Sequence, residues 1–198
     1  MRYAIIGDIH SAKQDLEKVL ADIRKIAPDA ALVSTGDLFE CTISKRRMTD
    51  KKFEFLTDVM LLPDGFVELL TFPSVIGNQE ERILFITETE DPLLGMLSAM
   101  PERMELGAAE IIHGHQFEWG GDPWSLLKAE VTKPLTFYGH SHRSGMICEG
   151  VEDEQVNFGK TYKMDNRQTL VNVGAVIHDR EWVLYDSISN TVMFMKTQ

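Results

Sequence analysis

Cysteine is scarce in this chain, with two residues in 198, Cys41 and Cys148. Two thiols make no disulfide framework, and a domain of this length can bury enough apolar surface to do without one. They read as incidental thiols of a reducing compartment. Long apolar runs are missing too: no stretch approaches the roughly 18 residues that a membrane helix requires. The N-terminus lacks a basic start followed by an apolar segment, so a soluble, cytoplasmic protein without a membrane partner is expected. Positive charge is in deficit, with 20 Lys and Arg against 31 Asp and Glu, a net −11. Such a surface has no basic field with which to release counterions, which excludes a stably bound nucleic acid. An anionic ester would also be repelled unless bound metal ions reverse the field locally. Repeats, low-complexity tracts and linkers are absent, and residues 1–198 are expected to form one domain.

The chain does contain a series of short apolar runs that end in glycine. Tyr3 to Ile6 has no polar alternation, as in a strand buried on both faces, and it stops at Gly7 before Asp8 and His10. Ser11 and Gln14 stand at capping-box spacing. Leu16, Val19, Leu20, Ile23 and Ile26 then recur every three or four positions, one apolar helix face that Pro28 closes. Ala30 to Thr35 predicts a second strand ending in Gly36-Asp37, which makes a β-α-β unit with parallel strands and a right-handed crossover.

Cys41 to Leu62 predicts a helix with a basic front of Lys45, Arg46, Arg47, Lys51 and Lys52, followed by turn chemistry at Pro63-Asp64-Gly65. A strand is predicted from Thr71 to Ile76, ending in Gly77-Asn78-Gln79-Glu80. Residues 81–105 predict helix broken at Asp91-Pro92. Strands are predicted again from Ala109 to Ile112, before His113-Gly114-His115, and from Leu135 to Tyr138, before Gly139-His140-Ser141-His142. Between these two lies a Trp-rich loop, 119–124, and then a short helix. The last third reads as antiparallel, with strands at Met146-Ile147, Thr169 to Val173, Trp182 to Tyr185 and Val192 to Met195. Residues 149–168 form a polar excursion. The fold class is α/β with two sheets.

Five strand ends therefore carry Asp8 and His10, Asp37, Asn78, His113, and His140 with His142. Of the six histidines, only His178 lies outside these turns, and it reads as a surface or turn residue. Composition alone produces Gly-His-x-His on the order of once per hundred such chains. Finding it in line with Asp-x-His, Gly-Asp, Gly-Asn and an isolated His makes coincidence a poor account. Glycine has a use at each place, since it lets the backbone turn sharply and approach a ligand.

Asp8-Ile9-His10, Gly36-Asp37, Gly77-Asn78, His113 and Gly139-His140-Ser141-His142 resemble, in order, the motifs of calcineurin-like metallophosphoesterases, in particular small single-domain bacterial and archaeal phosphodiesterases. The resemblance runs from residue 1 to about 176, where Asn172-Val173-Gly174-Ala175-Val176 is similar to a late strand of that family. It implies a four-layer α-β-β-α sandwich of two mixed sheets. It implies one metal held by Asp8, His10, Asp37 and His142, and a second held by Asp37, Asn78, His113 and His140, with Asp37 bridging. Imidazole, carboxylate and amide donors suit Mn, Fe, Zn or Ni, with manganese favoured for activity in vitro. A water shared by the two ions would lose its proton and attack phosphorus in line. The implied substrate is a small phosphate ester, with Asn78 neutralising the phosphoryl oxygens.

Two departures from the family pattern bear on mechanism. Many members carry Gly-Asn-His, whose histidine assists the leaving group, whereas here that position is Gln79, which can donate a hydrogen bond but no proton. His115 is a candidate for the missing acid, beside a reading as a supporting or structural residue. Serine/threonine phosphatases of the superfamily have Asp-Arg-Gly after Gly-Asp, whereas this chain has Leu38-Phe39-Glu40, which favours a small-molecule phosphodiesterase. Arg143 is a candidate phosphate contact beside a plain surface role. The basic cluster could steer a polyanion, but a solvated helix face is the simpler account. Trp119 and Trp124 read as loop anchors rather than base-stacking platforms. The alternative function is a binding scaffold that kept the fold and lost turnover; a complete donor set argues against it. An unrelated amidohydrolase would need a different histidine and lysine pattern. Homo-oligomerisation stays open.

Overall fold

A computed structural model describes residues 1–47, 52–121, 125–153, 156–165 and 167–198. Lys51, Asp122, Pro123, Trp124 and parts of the 149–168 excursion lie outside the described residues or at their edges. In chain order the strands are β1 Arg2–Ile6, β2 Ala31–Ser34, β3 Arg103–Leu106, β4 Ala109–Ile112, β5 Glu118–Trp119, β6 Leu126–Lys128 and β7 Leu135–Tyr138. They continue with β8 Gly145–Cys148, β9 Val151–Asp153, β10 Thr161–Lys163, β11 Thr169–Asn172, β12 Glu181–Asp186 and β13 Thr191–Lys196. The helices are α1 Lys13–Ile26, α2 Asn78–Ile86 and α3 Pro92–Ser98. Among the described residues no helix is long and apolar enough to cross a membrane.

Two mixed sheets result, as expected. The first has the order β10-β13-β12-β1-β2, the second β3-β4-β7-β11-β8-β9. β1 and β2 run parallel in register Tyr3 to Ala31 through Ile6 to Ser34, so their ends, and the acids beyond them, emerge side by side. In the second sheet β4, β7 and β11 are parallel, and the histidine turns after β4 and β7 leave from one edge. Ile5, Val33, Val183 and Phe194 of the first sheet meet Ile111, Phe137 and Val171 of the second in a closed inner core. On the far side of the first sheet, Ala4, Ile6 and Trp182 pack against Leu16 and Val19 of α1, Ile83 and Ile86 of α2 and Leu97 of α3. On the far side of the second sheet, Ile112, Tyr138 and Leu170 are covered by Phe117, Trp119 and Leu126, so the antiparallel β5–β6 ribbon supplies the outer layer there.

Several local expectations are corrected. No helix spans 41–62 among the described residues. Cys41 pairs with Met60 in an antiparallel bridge, and Phe53 bridges Thr87, leaving two 3-10 turns at Lys45–Arg47 and Leu56–Asp58. Burial of Leu56, Val59 and Met60 under the core fixes this hairpin-like loop, and tertiary packing overrides the local preference. Ser11 does not cap α1: it has φ 59°, its hydroxyl donates to the Leu61 carbonyl at 2.7 Å, and Ala12 is the cap residue. The 71–76 stretch contributes one parallel bridge, Ser74 to Ser34, because Pro73 has no N–H to give a ladder. Helix is indeed broken before Pro92, but α2 already begins at Asn78, and 103–106 is strand β3. The short helix expected after the Trp-rich loop is strand β6.

Glu110, 2% exposed on β4, is the chief polar tie of the second sheet. Its carboxylate accepts from the backbone N–H groups of Thr132 and Lys133, the hydroxyls of Thr132 and Thr136, and Arg103 Nη1. Burial pushes its carboxyl up, but these donors outweigh burial and hold it below the usual glutamate range. Glu110→Ala strands those donors and is expected to cost about 2–4 kcal/mol, measured by denaturant unfolding at pH 7. With the folded pKa depressed, the carboxylate's contribution is present above the unfolded value of about 4.3 and is lost as pH falls through the folded one. The gap between wild type and variant should therefore narrow on acidification below about pH 4.

Candidate metal centre

The five strand-end turns converge. Asp8, His10 and His142 form one group and Asp37, His113 and His140 a second, the donor atoms within each lying within 4.8 Å of one another. Asn78, the first residue of α2, places its side-chain oxygen 3.2 Å from His113 Nε2. Seven side chains from segments distant in sequence thus come together. One oxygen joins the groups: Asp37 Oδ2 lies 3.7 Å from His10 Nε2 and 3.4 Å from His113 Nε2. Its other oxygen, Oδ1, accepts from the Gln79 backbone N–H at 2.9 Å, which fixes the carboxylate's rotation.

Local backbone geometry explains the glycines. Asp8, His10, Asp37, His140 and His142 all have left-handed φ, between 48° and 70°. Asp and His tolerate that region better than most residues, but it still requires external support. Support comes from the turns themselves. Asp8 N–H donates to the Gly36 carbonyl, and the N–H groups of Ile9 and His10 both donate to the Asp37 carbonyl. His140 N–H donates to the Asp8 carboxylate at 2.9 Å. Close approach then forbids side chains at the hinges: a Cβ on Gly139 would stand 2.3 Å from Asp8 Oδ2, and one on Gly77 2.2 Å from Asp37 Oδ1.

Two carboxylates behind the donors were not singled out in the sequence. Glu40 Oε2 lies 2.6 Å from His10 Nδ1, so Nδ1 carries the proton and Nε2 faces the cluster with its lone pair. His113 is set the same way, its Nδ1 donating to the Thr35 carbonyl at 2.8 Å. Glu80, fully buried, accepts from the N–H groups of Asp37, Phe39 and Gly77 and so clamps two ligand turns to the start of α2. The available signal was weak: Glu40 stands three residues past Asp37 and Glu80 two past Asn78, spacings meaningful only once the turns are folded.

Charge balance shows what the site is built to hold. Burial pushes the Asp37 carboxyl up, but His113 and His10 reverse this and bring it down to about 2. Burial alone would lower His113; the Asp37 carboxylate outweighs it and raises the imidazole to about 9. His140 falls to about 4 through burial and the charge of His113. Glu80, by burial and the nearby Asp37, is raised to about 7. The carboxylates thus draw positive charge onto the spot between them, which on the chain alone is a proton on His113. His10 Nε2 and His142 Nε2 face each other at 3.1 Å, two nitrogens that need a cation or proton between them. Donor type, orientation and charge all fit divalent metals of the Mn, Fe, Zn or Ni kind.

The remaining candidates lie around this cluster. Gln79's side-chain oxygen accepts from Cys41 N–H at 3.2 Å and from Arg82 Nη1 at 3.0 Å. His115 sits with its ring 5.3 Å from that of His113 and pairs with Glu81 at 3.0 Å. Arg143 is exposed beside His142, and Lys45, Arg82 and His178 border the cleft of about 480 Å³ above the donors. Trp119 is pinned by its indole N–H, which donates to the Gly114 carbonyl at 2.9 Å.

The chain's sequence matches the calcineurin-like phosphoesterase family model over residues 1–165. Among solved structures, a metallophosphoesterase from Sphaerobacter thermophilus matches 100% of this chain and 89% of its own at 20% identity, with a TM-score of 0.69. Yfce, a phosphoesterase from E. coli, matches 100% of each chain at 17% identity, with a TM-score of 0.52. These likenesses show a shared fold. No curated protein matches the sequence.

If Glu40 orients His10 for metal binding, Glu40→Gln should weaken Mn²⁺ affinity by about 10-fold or more, without lowering the melting temperature. Titration of the metal-free protein by calorimetry reads this directly; unchanged affinity would assign Glu40 to the surface.

Proposed function

We propose that this chain, which belongs to the calcineurin-like phosphoesterase family and so is a metal-dependent hydrolase of phosphoric esters, acts on phosphodiesters or activated phosphate esters at a two-metal centre. The observation carrying this reading is the Asp37 oxygen that faces both donor groups. Asp8, His10, Asp37 and His142 would hold one ion, and Asp37, Asn78, His113 and His140 the other. When bound, such a pair of divalent ions supplies Lewis acidity and an acidified water for in-line displacement at phosphorus.

The chain's own residues set the conditions for that chemistry. Glu40 and the Thr35 carbonyl hold His10 and His113 in the tautomer that presents Nε2. Asn78 opens α2, so its amide and the helix N-terminus lie beside the place where phosphoryl oxygens would gather. Arg143 flanks the exposed edge of His142 and is positioned for a remaining phosphate oxygen. Leaving-group protonation is the weak point. Gln79's oxygen is committed to Cys41 and Arg82, and an amide carries no titratable proton. We assign His115, which pairs with Glu81 and lies beside His113, to supply one. Burial and the charge of His113 hold its imidazole below the usual range, so it is the readier to release a proton. Esters with good leaving groups need that help least, which supports the activated-ester reading.

Bis(p-nitrophenyl) phosphate with Mn²⁺ tests it. The wild type should hydrolyse the ester only with metal present, and His142→Ala should lower kcat/KM on the order of 10²–10³-fold; a wild type inert in every metal would sink the proposal. His115→Gln should leave p-nitrophenolate release within about twofold and slow an alkyl leaving group by about 10²-fold. Equal effects on both would remove His115 from the acid role.

A further inference from the structure

A second cavity, larger than the cleft over the donors, opens on the outer face of the second sheet. It has a volume of about 640 Å³, within the range of small-molecule pockets. His142 borders both. Ser141, Arg143 and Asn172 line the larger groove beside His142, Ile147 and Leu170 line it two residues further along β8 and β11, and Trp119, Leu126, Lys128 and Gln168 are among the rest of its lining. Its acids are already matched: Glu181 accepts from Ser144 Oγ at 2.7 Å and pairs with Lys196 at 3.0 Å, and Asp179 pairs with Lys196 at 3.2 Å. Sharing one lysine, they keep one net negative charge, which Arg143 and Lys128 on the same lining offset.

We infer that this groove binds a flat apolar substituent of the phosphate ester whose phosphoryl group lies at His142. The inference rests on the phosphoesterase reading and adds to it the class of alcohol the site selects. Three observations support that occupant. His142 lines both the groove and the donor cleft, so a phosphoryl group at His142 has the groove within reach. Its polarity runs in the order such an ester requires, a cation beside the phosphate end and hydrocarbon past it. Its wall is rigid: Trp119 is fixed by the Gly114 carbonyl, and its ring stands 5.6 Å from that of His140, touching cluster and groove together. A preorganised aromatic wall favours a planar group at low ordering cost.

The test uses two phosphonates that resist hydrolysis through their P–C bonds, 1-naphthylmethylphosphonate and methylphosphonate, with Mn²⁺-loaded protein. Dissociation constants come from naphthyl fluorescence and calorimetry, so the result does not depend on turnover. The naphthyl compound should bind at least about 10-fold tighter. Leu126→Ala and Ile147→Ala, made separately on β6 and β8 and checked by circular dichroism to keep the native fold, should each reduce that advantage by about threefold or more and leave methylphosphonate affinity unchanged. Equal binding of the two phosphonates, or equal weakening of both by the variants, overturns the groove assignment. Should the protein hydrolyse no ester yet show this binding pattern, the catalytic reading fails while the groove stands.

Discussion

Left-handed backbone at five of the seven donor positions is the constraint on which the rest of the structure turns. Each such residue costs roughly 1–3 kcal/mol when it is not glycine, and the chain concentrates the five in three short turns. The cost is offset where the turns bond each other rather than water. Asp8 and Asp37 emerge from neighbouring parallel strands, and the N–H groups of the first turn are spent on carbonyls of the second. His140 in turn rests its N–H on the Asp8 carboxylate. Behind them, β1 is anchored by Ala4, Ile5 and Ile6, all 0% exposed between helices and second sheet. A core this closed can hold strained ends; an open two-stranded ribbon could not.

Electrostatics follow from the same convergence. Bringing Asp8, Asp37 and Glu80 together out of water is unfavourable unless positive charge joins them. The chain responds by holding His113 protonated and by raising Glu80 toward neutrality, while Glu80 still accepts three backbone hydrogen bonds. A net charge of −11 sharpens the point. The molecule repels anions at long range, so any anion drawn to it needs positive charge placed locally.

The parts legible in the sequence were those governed by short-range physics. Short runs dominated by apolar residues, such as Ala109–Ile112 and Leu135–Tyr138 with only Glu110 and Thr136 polar, read as buried strands, and glycine near Asp, Asn or His marks where each one turns toward a site. Position 41–62 was misread because its basic residues suggested a solvated helix, whereas Leu56, Val59 and Met60 are drawn under the core by distant partners. Strand β6 was misread as helix for a related reason: Leu126 packs under the ribbon against the second sheet, a contact invisible locally. Glu40 and Glu80 escaped notice because a carboxylate's role behind a ligand depends on which imidazole or N–H it meets, and that is decided only by the fold.

The two donor groups are unequal in their exposure. His113 is fully buried, with its Nδ1 closed off by Thr35, whereas the His142 side chain is 41% exposed and borders both cavities. Each group nevertheless presents donors to the cleft, His10 and His142 from the first and Asp37, Asn78 and His140 from the second. Lys45 and Arg82 line the cleft on one side of His142, and Trp119 with Leu126 line the groove on the other. The donors thus stand on turns held by the closed core, while the residues that flank them on either side, on β5, β6 and the start of α2, carry none of the seven donors except Asn78.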